Sequence, residues 1–370
     1  MKSLRVLIIR NAYQKDAGGA EQYALNLAIA LKVAGHKPIL VTNVIKIHEK
    51  AKSENIKYIN GKWHDSQGWD RLYYLRYPAI TLWYIYVLLR YRIDIVHPQS
   101  RDDFVFATRA GSLLHKKIIW TDNADLKYIL DNVNHYNPRM RGWVMNASKK
   151  AHAITCGSYS DQKKIVDVAP DLSPTIVIHN GVFAPEDLSP VTKTNKIVIG
   201  TNARLVEDKG IGELMQGFSG LNNKDADLWL LGGTSGNEEK YKKLAKDLGV
   251  ENQVRILGYV HKPNDVVASM DIFVHASYME AFSLAIIEAA MLGRPIIATN
   301  VGGAPEIIDA SCGILIEPRD ASAITSSLRK LLDDVHLREK LGQAAEEKAM
   351  RDFNFQKIVA DKIVPLYFKP

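Results

Sequence analysis

This 370-residue chain contains only two cysteines, Cys156 and Cys312, and long apolar runs are missing as well. Cysteines so few and so far apart exclude a disulfide framework and a cysteine metal site. The longest apolar stretch, residues 79–89, is far shorter than the roughly twenty residues that a membrane-spanning helix needs. The apolar run at the N-terminus is too short for a signal peptide and predicts a strand. Together these absences predict a cytoplasmic protein.

Nucleotide-binding fingerprints and metal-ligand clusters are also missing. Neither G-x-G-x-x-G nor G-x-x-x-x-G-K-[ST] occurs in the second half of the chain, so dinucleotide-binding and P-loop functions lose their main support. No clustered set of Asp and His predicts a metal, and no nucleic-acid-binding module is recognisable. We therefore expect no metal, no cofactor and no nucleic-acid partner.

Size and charge divide the chain into two halves. Its length exceeds the usual single-domain range and predicts two domains of roughly 150 to 200 residues. Residues 1–190 carry 26 Lys and Arg against 17 Asp and Glu, whereas residues 191–370 carry 22 against 24. The basic first half suits a polyanionic partner, and an anionic lipid surface is favoured because no nucleic-acid module is present.

Hydrophobic periodicity predicts an α/β fold with two doubly wound parallel sheets. In the first half, apolar strands alternate with helices, and the first helix keeps a 3.6-residue period from Ala24 to Ala34 before Gly35 ends it. Glycine and proline at 180–190 indicate a linker to a second, similar series, and the tail 321–370 is expected to be helical. The predicted strands are 4–9, 38–41, 93–97, 117–121, 151–156 and 175–179, then 197–200, 228–231, 254–257, 272–274, 296–298 and 314–316.

The stretch 271–309 predicts a strand, a loop, a helix and a further strand. Ser283 is expected to cap the helix, with Glu280 just before it and Glu288 about a turn inside it. Free N–H groups and a partial positive charge make such a helix end a site for phosphate, and the two carboxylates suit hydroxyl groups on either side. A nucleotide sugar has this chemistry. On spacing alone, a structural role for the two glutamates beside the helix dipole is favoured.

Residues 277–299, S-Y-M-E-A-F-S-L-A-I-I-E-A-A-M-L-G-R-P-I-I-A-T, resemble the E-x7-E signature of retaining glycosyltransferases of the GT-B fold, family 4 type. Ala281 stands where that family usually has glycine. The resemblance covers essentially the whole chain and implies GT-B architecture, with two Rossmann-like domains that face each other across a cleft. The domains expected are an acceptor-binding one at 1–185, completed by a C-terminal helix at 354–370, and a donor-binding one at 186–353.

The resemblance also implies roles for individual residues. In the pattern Arg-Leu-x-x-x-Lys-Gly, Arg204 and Lys209 hold the donor diphosphate, and Glu280 positions the sugar hydroxyls. Asn123 stands where the family commonly carries a histidine that contacts the donor sugar, and His97 is the alternative for that contact. The other residues implied at the donor are Gly18, Gly19, Gly233, Tyr259, Val260, Phe282, Ser283, Leu284 and Glu288.

The function implied is metal-independent, retaining transfer of a sugar from a UDP- or GDP-linked donor to a glycan or lipid-linked acceptor, in cell-envelope polysaccharide or glycoconjugate synthesis. Two alternatives stay open, a sugar-nucleotide epimerase of the same fold and a catalytically weak sugar-nucleotide-binding protein. Aromatic and basic residues between 71 and 92 predict peripheral contact with an anionic membrane at the inner face of the plasma membrane. They suit a buried aromatic helix with a solvated rim equally well.

Overall fold

The protein consists of two compact units, Met1–His179 with Gln356–Pro370, and Asn180–Phe355. The computed structural model describes residues 2–12, 19–61, 73–123, 125–131, 138–172, 174–191 and 195–369. Within these residues each unit contains one sheet of parallel strands with connecting helices. The predicted α/β fold class, with two Rossmann-like units, is confirmed.

The first unit is built on a sheet whose interior strands are continuous apolar runs, as expected where both faces are covered. Its described strands are β1 (Arg5–Ile9), β2 (Lys37–Thr42), β3 (Lys57–Asn60), β4 (Ile95–Pro98), β5 (Lys117–Asp122), β6 (Ala153–Cys156) and β7 (Thr175–Val177), in the order β3-β2-β1-β4-β5-β6-β7. Its helices are α1 (Gly19–Val33), α2 (Ile45–Ser53), α3 (Tyr73–Arg90), α4 (Arg101–Leu113), α5 (Asp125–Leu130), α6 (Pro138–Ser148) and α7 (Tyr159–Val168).

The second unit repeats this plan. Its described strands are β8 (Ile197–Asn202), β9 (Ala226–Leu231), β10 (Val254–Gly258), β11 (Ile272–His275), β12 (Ile296–Thr299) and β13 (Ile314–Ile316), in the order β10-β9-β8-β11-β12-β13. Its helices are α8 (Ile211–Ser219), α9 (Glu238–Asp247), α10 (Pro263–Val267), α11 (Leu284–Met291), α12 (Ala304–Ile307), α13 (Ala321–Asp333) and α14 (Val335–Asp352). Successive residues of β11 point to opposite faces of the sheet, so Phe273 lies in one core and Val274 in the other.

The chain ends in a helix that belongs to the first unit from Gln356 onward. It comprises α15 (Phe355–Ile358), a π-helical turn (Val359–Ile363) and α16 (Val364–Phe368). The Tyr367 hydroxyl lies 2.7 Å from Nδ1 of His97 at the end of β4. None of the helices in the described part of the chain has the length and apolar character needed to cross a membrane.

Two local predictions can be compared directly with the structure. Gly35 ends α1 as predicted, with φ +83° and its N–H bonded to the Lys32 carbonyl at 3.0 Å. Strand β3 was not predicted. It lies at the edge of its sheet, and only Ile59 among its four residues is partly buried. A strand with so little buried surface needs no apolar run, and the sequence therefore carries no signal for it.

Candidate active site

The loops that follow β8, β9, β10 and β11 bond to one another at the carboxyl edge of the second sheet. Open α/β sheets hold their ligands at this edge. The bonds are made by backbone groups, which leaves side chains of these loops available to a ligand. They run from Ala203 N to Leu231 O (2.8 Å), Leu205 N to Gly233 O (2.8 Å), Gly232 N to Gly258 O (2.9 Å) and Tyr278 N to Asp208 O (2.8 Å).

Glycines allow two of these loops to approach closely. Gly210 has φ +62°, and a Cβ there would lie 2.0 Å from the carbonyl oxygen of Ala276. Gly302 has φ +55°, and a Cβ there would lie 1.7 Å from the carbonyl oxygen of Glu280. Both positions need glycine for its conformation and for the missing side chain. The backbone around Glu280 is thereby fixed by contacts that no other residue type permits.

Glu280 lies in the loop after β11 and forms an ion pair with Lys209. Lys209 Nζ is 2.8 Å from Glu280 Oε2, and Nε2 of His275 lies 3.3 Å from the same oxygen. Burial opposes ionisation of this carboxyl, but the contacts with His275 and Lys209 outweigh burial and lower the pKa of Glu280 to about 2. Glu280 is therefore a carboxylate at neutral pH and a weak proton acceptor.

Helix α11 begins directly after this loop. The Ser283 hydroxyl accepts a hydrogen bond from Ile286 N at 3.4 Å, which confirms the predicted cap. Leu284 is the first helical residue, and the first N–H groups of a helix have no acceptor inside it. Phe282 is buried and packs edge-on against Phe353, with ring centroids 5.8 Å apart. Phe282 thus supports the helix start from the core.

Glu288 lies in the second turn of α11 and is partly buried. Burial raises the pKa of its carboxyl to about 7. Its carboxylate forms no hydrogen bond or ion pair within the part of the chain that the structure describes. Glu280 and Glu288 therefore differ in their electrostatics, because Glu280 has a cationic partner and Glu288 has none.

The remaining predicted residues of this unit lie on the same edge. Arg204 is exposed in the loop after β8, and Gly233 follows β9. Tyr259 is exposed and Val260 partly buried just after β10. Among the predicted residues that the structure describes, Lys209 and Glu280 form a side-chain ion pair. The others share the edge through their loops.

In the first unit, Asn123 follows β5 and is partly buried. Its Nδ2 has no hydrogen-bond partner among the described residues. The preceding Asp122 has a structural role, because its Oδ1 accepts the N–H of Leu126 at 2.9 Å at the start of α5. Gly19 begins α1, while Gly18 lies outside the described residues. Asn123 is therefore the polar group that this strand end offers to a ligand.

His97, the alternative to Asn123, is completely buried. Its Nδ1 contacts the Tyr367 hydroxyl and its Nε2 contacts the Thr121 hydroxyl, both at 2.7 Å. Burial lowers the pKa of His97 to about 3, so the ring is neutral. Both ring nitrogens are engaged, and the suggested role of His97 at the sugar is corrected to a structural one.

Sequence reasoning missed His275. The signal was a histidine that ends an apolar strand five residues before Glu280, but only the structure shows that its ring reaches the carboxylate. No group of three or more His, Cys, Asp and Glu side chains suited to a metal ion occurs among the described residues.

Two family models match the chain. The model for glycosyl transferases group 1 matches residues 186–348, and that for glycosyltransferase family 4 matches residues 17–183. A subunit of human phosphatidylinositol N-acetylglucosaminyltransferase is 28% identical over 329 residues, which are 85% of this chain and 65% of the human protein. The capsular polysaccharide biosynthesis glycosyltransferase CapM of Staphylococcus aureus is 31% identical over 178 residues, or 47% of this chain and 46% of CapM. The chain thus spans less than two thirds of these relatives.

Solved structures show the same fold over nearly the whole chain. A glycosyltransferase from Rickettsia africae ESF-5 has a TM-score of 0.84 at 21% identity and covers 99% of this chain and 98% of its own. Anabaena HepE in complex with UDP has a TM-score of 0.82 at 19% identity and covers 98% and 99%. At these identities the likeness is one of fold.

Proposed function

This chain belongs to the family 4 type of GT-B glycosyltransferases, and we propose that it moves a sugar from a nucleoside diphosphate donor to a glycan or lipid-linked acceptor. The second unit binds the donor and the first unit the acceptor. The observation that carries this proposal is the pairing of Lys209 with Glu280 beside the capped start of α11. A cation, a carboxylate and free backbone N–H groups there match a diphosphate joined to a sugar.

The donor diphosphate is held by Arg204, Lys209 and the first N–H groups of α11. These groups stabilise the negative charge that grows on the leaving diphosphate, the task that a divalent ion performs in other enzymes. The proposed transfer is therefore metal-independent. Glu288 accepts hydrogen bonds from the ribose, and backbone groups at Gly233, Tyr259 and Val260 wall the base.

The sugar is positioned by Glu280, whose low pKa makes it a hydrogen-bond acceptor and a poor base. In the first unit, Asn123 offers its unpartnered Nδ2 as a donor to a ligand hydroxyl. The acceptor oxygen bonds to the anomeric carbon on the face that the diphosphate leaves, and the acceptor proton passes to a leaving phosphate oxygen. This same-face reaction retains the anomeric configuration.

Relatives guide the choice of substrates. HepE was solved with UDP and with UDP-glucose, so UDP-linked sugars are the first donors to test and GDP-linked sugars the second. The human relative is named for a phosphatidylinositol acceptor and CapM for capsular polysaccharide. We accordingly place the protein in cell-envelope polysaccharide or glycoconjugate synthesis.

A lipid-linked acceptor is reached at a membrane surface, and α3 has a face suited to one. Leu82, Tyr86 and Leu89 lie on one face of the helix and are each more than half exposed, with Arg90 and Arg92 exposed beside them. Aromatic and apolar side chains with basic neighbours favour the interface of an anionic bilayer. The protein is then peripheral, at the inner face of the plasma membrane.

A donor screen tests the proposal. Melting temperature is measured with UDP- and GDP-linked sugars, with matching nucleoside monophosphates as controls, because bound ligand stabilises the native state. We expect one nucleoside diphosphate sugar to raise the melting temperature. The protein should consume this donor only when acceptor is present, and it should do so in the presence of EDTA. NMR of the product should show the same anomeric configuration as in the donor.

Each of the other possible outcomes contradicts one part of the proposed function. An inverted product refutes the same-face mechanism, and loss of activity in EDTA refutes metal independence. Alteration of free donor without acceptor identifies an epimerase, and tight donor binding without any reaction identifies a binding protein.

A further inference from the structure

The two nitrogen partners described for the Glu280 carboxylate meet at a single oxygen. Lys209 Nζ and His275 Nε2 both approach Oε2, at 2.8 and 3.3 Å. Oε1 accepts no hydrogen bond from any side chain in the described ranges. One oxygen is thus fixed by the protein, and the other remains for a ligand hydroxyl.

Lys209 cannot serve this carboxylate and a diphosphate equally. Under the proposed function it binds the donor phosphates, whereas in the structure its Nζ donates to Glu280 Oε2. When Lys209 turns to the donor, His275 is the nitrogen partner that remains on Oε2. The carboxylate would otherwise lose both contacts that orient it just as the sugar arrives.

Burial of the polar His275 ring costs free energy, and packing of the core does not require a polar side chain at this position. It ends β11 between Val274 and Ala276 and is buried. Neither ring nitrogen meets hydrogen-bond geometry with a group of the described chain, and Nε2 lies 3.3 Å from Glu280 Oε2. An apolar side chain at this strand position would avoid burying an unpaired ring nitrogen. A departure from local packing preference, next to a carboxylate of the site, indicates a functional constraint.

We propose, building on the function proposed above, that His275 is a positioning residue that holds Glu280 by Oε2 when Lys209 turns to the donor diphosphate. Oε1 then stays directed at the sugar hydroxyls. The ring acts through Glu280 and neither gains nor loses a covalent bond. For this role, Nε2 must carry a hydrogen that it donates to Oε2.

The first experiment needs no substrate. Long-range ¹H–¹⁵N NMR of the histidine rings, with His275 assigned by its absence from His275→Leu, reports which nitrogen carries hydrogen. We expect hydrogen on Nε2, and a shift of that resonance in Glu280→Gln. A ring with hydrogen on Nδ1 alone has nothing to donate to Oε2 and overturns the proposal.

The second experiment compares two substitutions by their kinetics. His275→Leu keeps apolar bulk and removes the donor, whereas His275→Gln keeps an N–H group at a similar reach. Loss of the proposed hydrogen bond from Nε2 to the charged Glu280 predicts a fall in kcat of about tenfold or more in His275→Leu. Affinity for the nucleoside diphosphate without sugar should stay within about twofold, because the sugar is the only part of the donor that Glu280 is proposed to contact.

His275→Gln should recover most of the lost turnover, and the exposed His336→Leu on α14 is the matched control. Equal losses in His275→Leu and His275→Gln would assign the ring to packing and overturn the proposal. If the wild-type protein binds no nucleoside diphosphate, the proposed function fails by itself, and the ring measurement still decides what His275 does.

Discussion

The carboxyl edges of the two sheets are constructed differently. In the first unit, buried side chains bond to one another, with Asp103 accepting from Tyr84 (2.5 Å), from Asn11 (3.0 Å) and from Ser100. In the second unit, backbone groups of glycine loops join the edge and leave side chains such as Arg204 exposed. A backbone frame accepts one kind of ligand through fixed N–H groups, whereas a side-chain network can be rebuilt for different ligands.

This difference accounts for which edge can be recognised in a sequence. The second edge requires glycine at fixed spacings, as at Gly210 and Gly302, because no other residue fits the close approach. The network around Asp103 joins Asn11 to residues about ninety positions away, and no local pattern records such a bond. A motif therefore identifies the second edge, while the side-chain network of the first edge can be seen only in the folded structure.

The largest expected effect is on the stability of the protein and comes from the side-chain network of the first edge. Asp103→Ala removes a buried acceptor that three donors share, and each buried donor left without a partner costs about 1–3 kcal/mol. Urea unfolding should show a midpoint lowered accordingly, while the exposed Asp167→Ala on α7 leaves it unchanged. An unchanged midpoint for Asp103→Ala would mean that the first edge is not held by this network.

The second prediction tests the other edge by activity. Arg204→Ala removes an exposed cation from the proposed diphosphate site and should lower turnover roughly a hundredfold, about 2.7 kcal/mol of transition-state stabilisation, with the melting temperature kept. Steady-state kinetics with saturating donor measures this. The exposed Lys243→Ala on α9 removes a similar charge outside the site and should retain full turnover. Equal rates in both variants would remove Arg204 from the site.

Much of the fold could be predicted, for reasons visible in particular elements. Strands such as β8 and β11 are short apolar runs bounded by turns, and Ser283 before an apolar helix indicates a cap. The Lys209–Glu280 pair could not be derived from spacing, because it joins residues 71 positions apart. His275 carries no motif, and one of the two partners of His97, Tyr367, lies 270 positions away. Contacts between residues far apart in the chain form only on folding, and no local sequence pattern predicts them.

The third prediction uses the contrast between the two glutamates of the second edge. Burial raises the pKa of Glu288 to about 7, and ribose hydroxyls donate best to the ionised carboxylate. Donor affinity should therefore weaken as the pH falls through 7, by about tenfold from pH 8 to pH 6. Calorimetric titration across this range measures it. Glu288→Gln should bind weakly and show no such pH dependence.

The stability of the protein checks the same carboxyl without ligand. Because its folded-state pKa lies above the ordinary value, the folded protein takes up more protons, and this contribution to stability is lost as the pH rises through about 7. Glu288→Gln should accordingly melt higher than wild type at pH 8 and similarly at pH 4. A melting curve with equal shifts at both values would contradict the raised pKa.

The smallest expected effect concerns the surface of the first unit, which is the basic half of the chain and has an exposed apolar face on α3. Leu82→Ser on α3 removes one exposed apolar side chain from the face that carries Tyr86 and Leu89. One leucine at a bilayer interface contributes roughly 1 kcal/mol, so binding to anionic vesicles should weaken about fivefold. Sedimentation with anionic and neutral vesicles measures this.

Added salt should release the wild-type protein from anionic vesicles, because screening shortens the reach of the basic residues. Ile45→Ser, an equally exposed apolar position on α2, should bind like wild type, and equal recovery with both lipids would assign this face to a soluble partner instead.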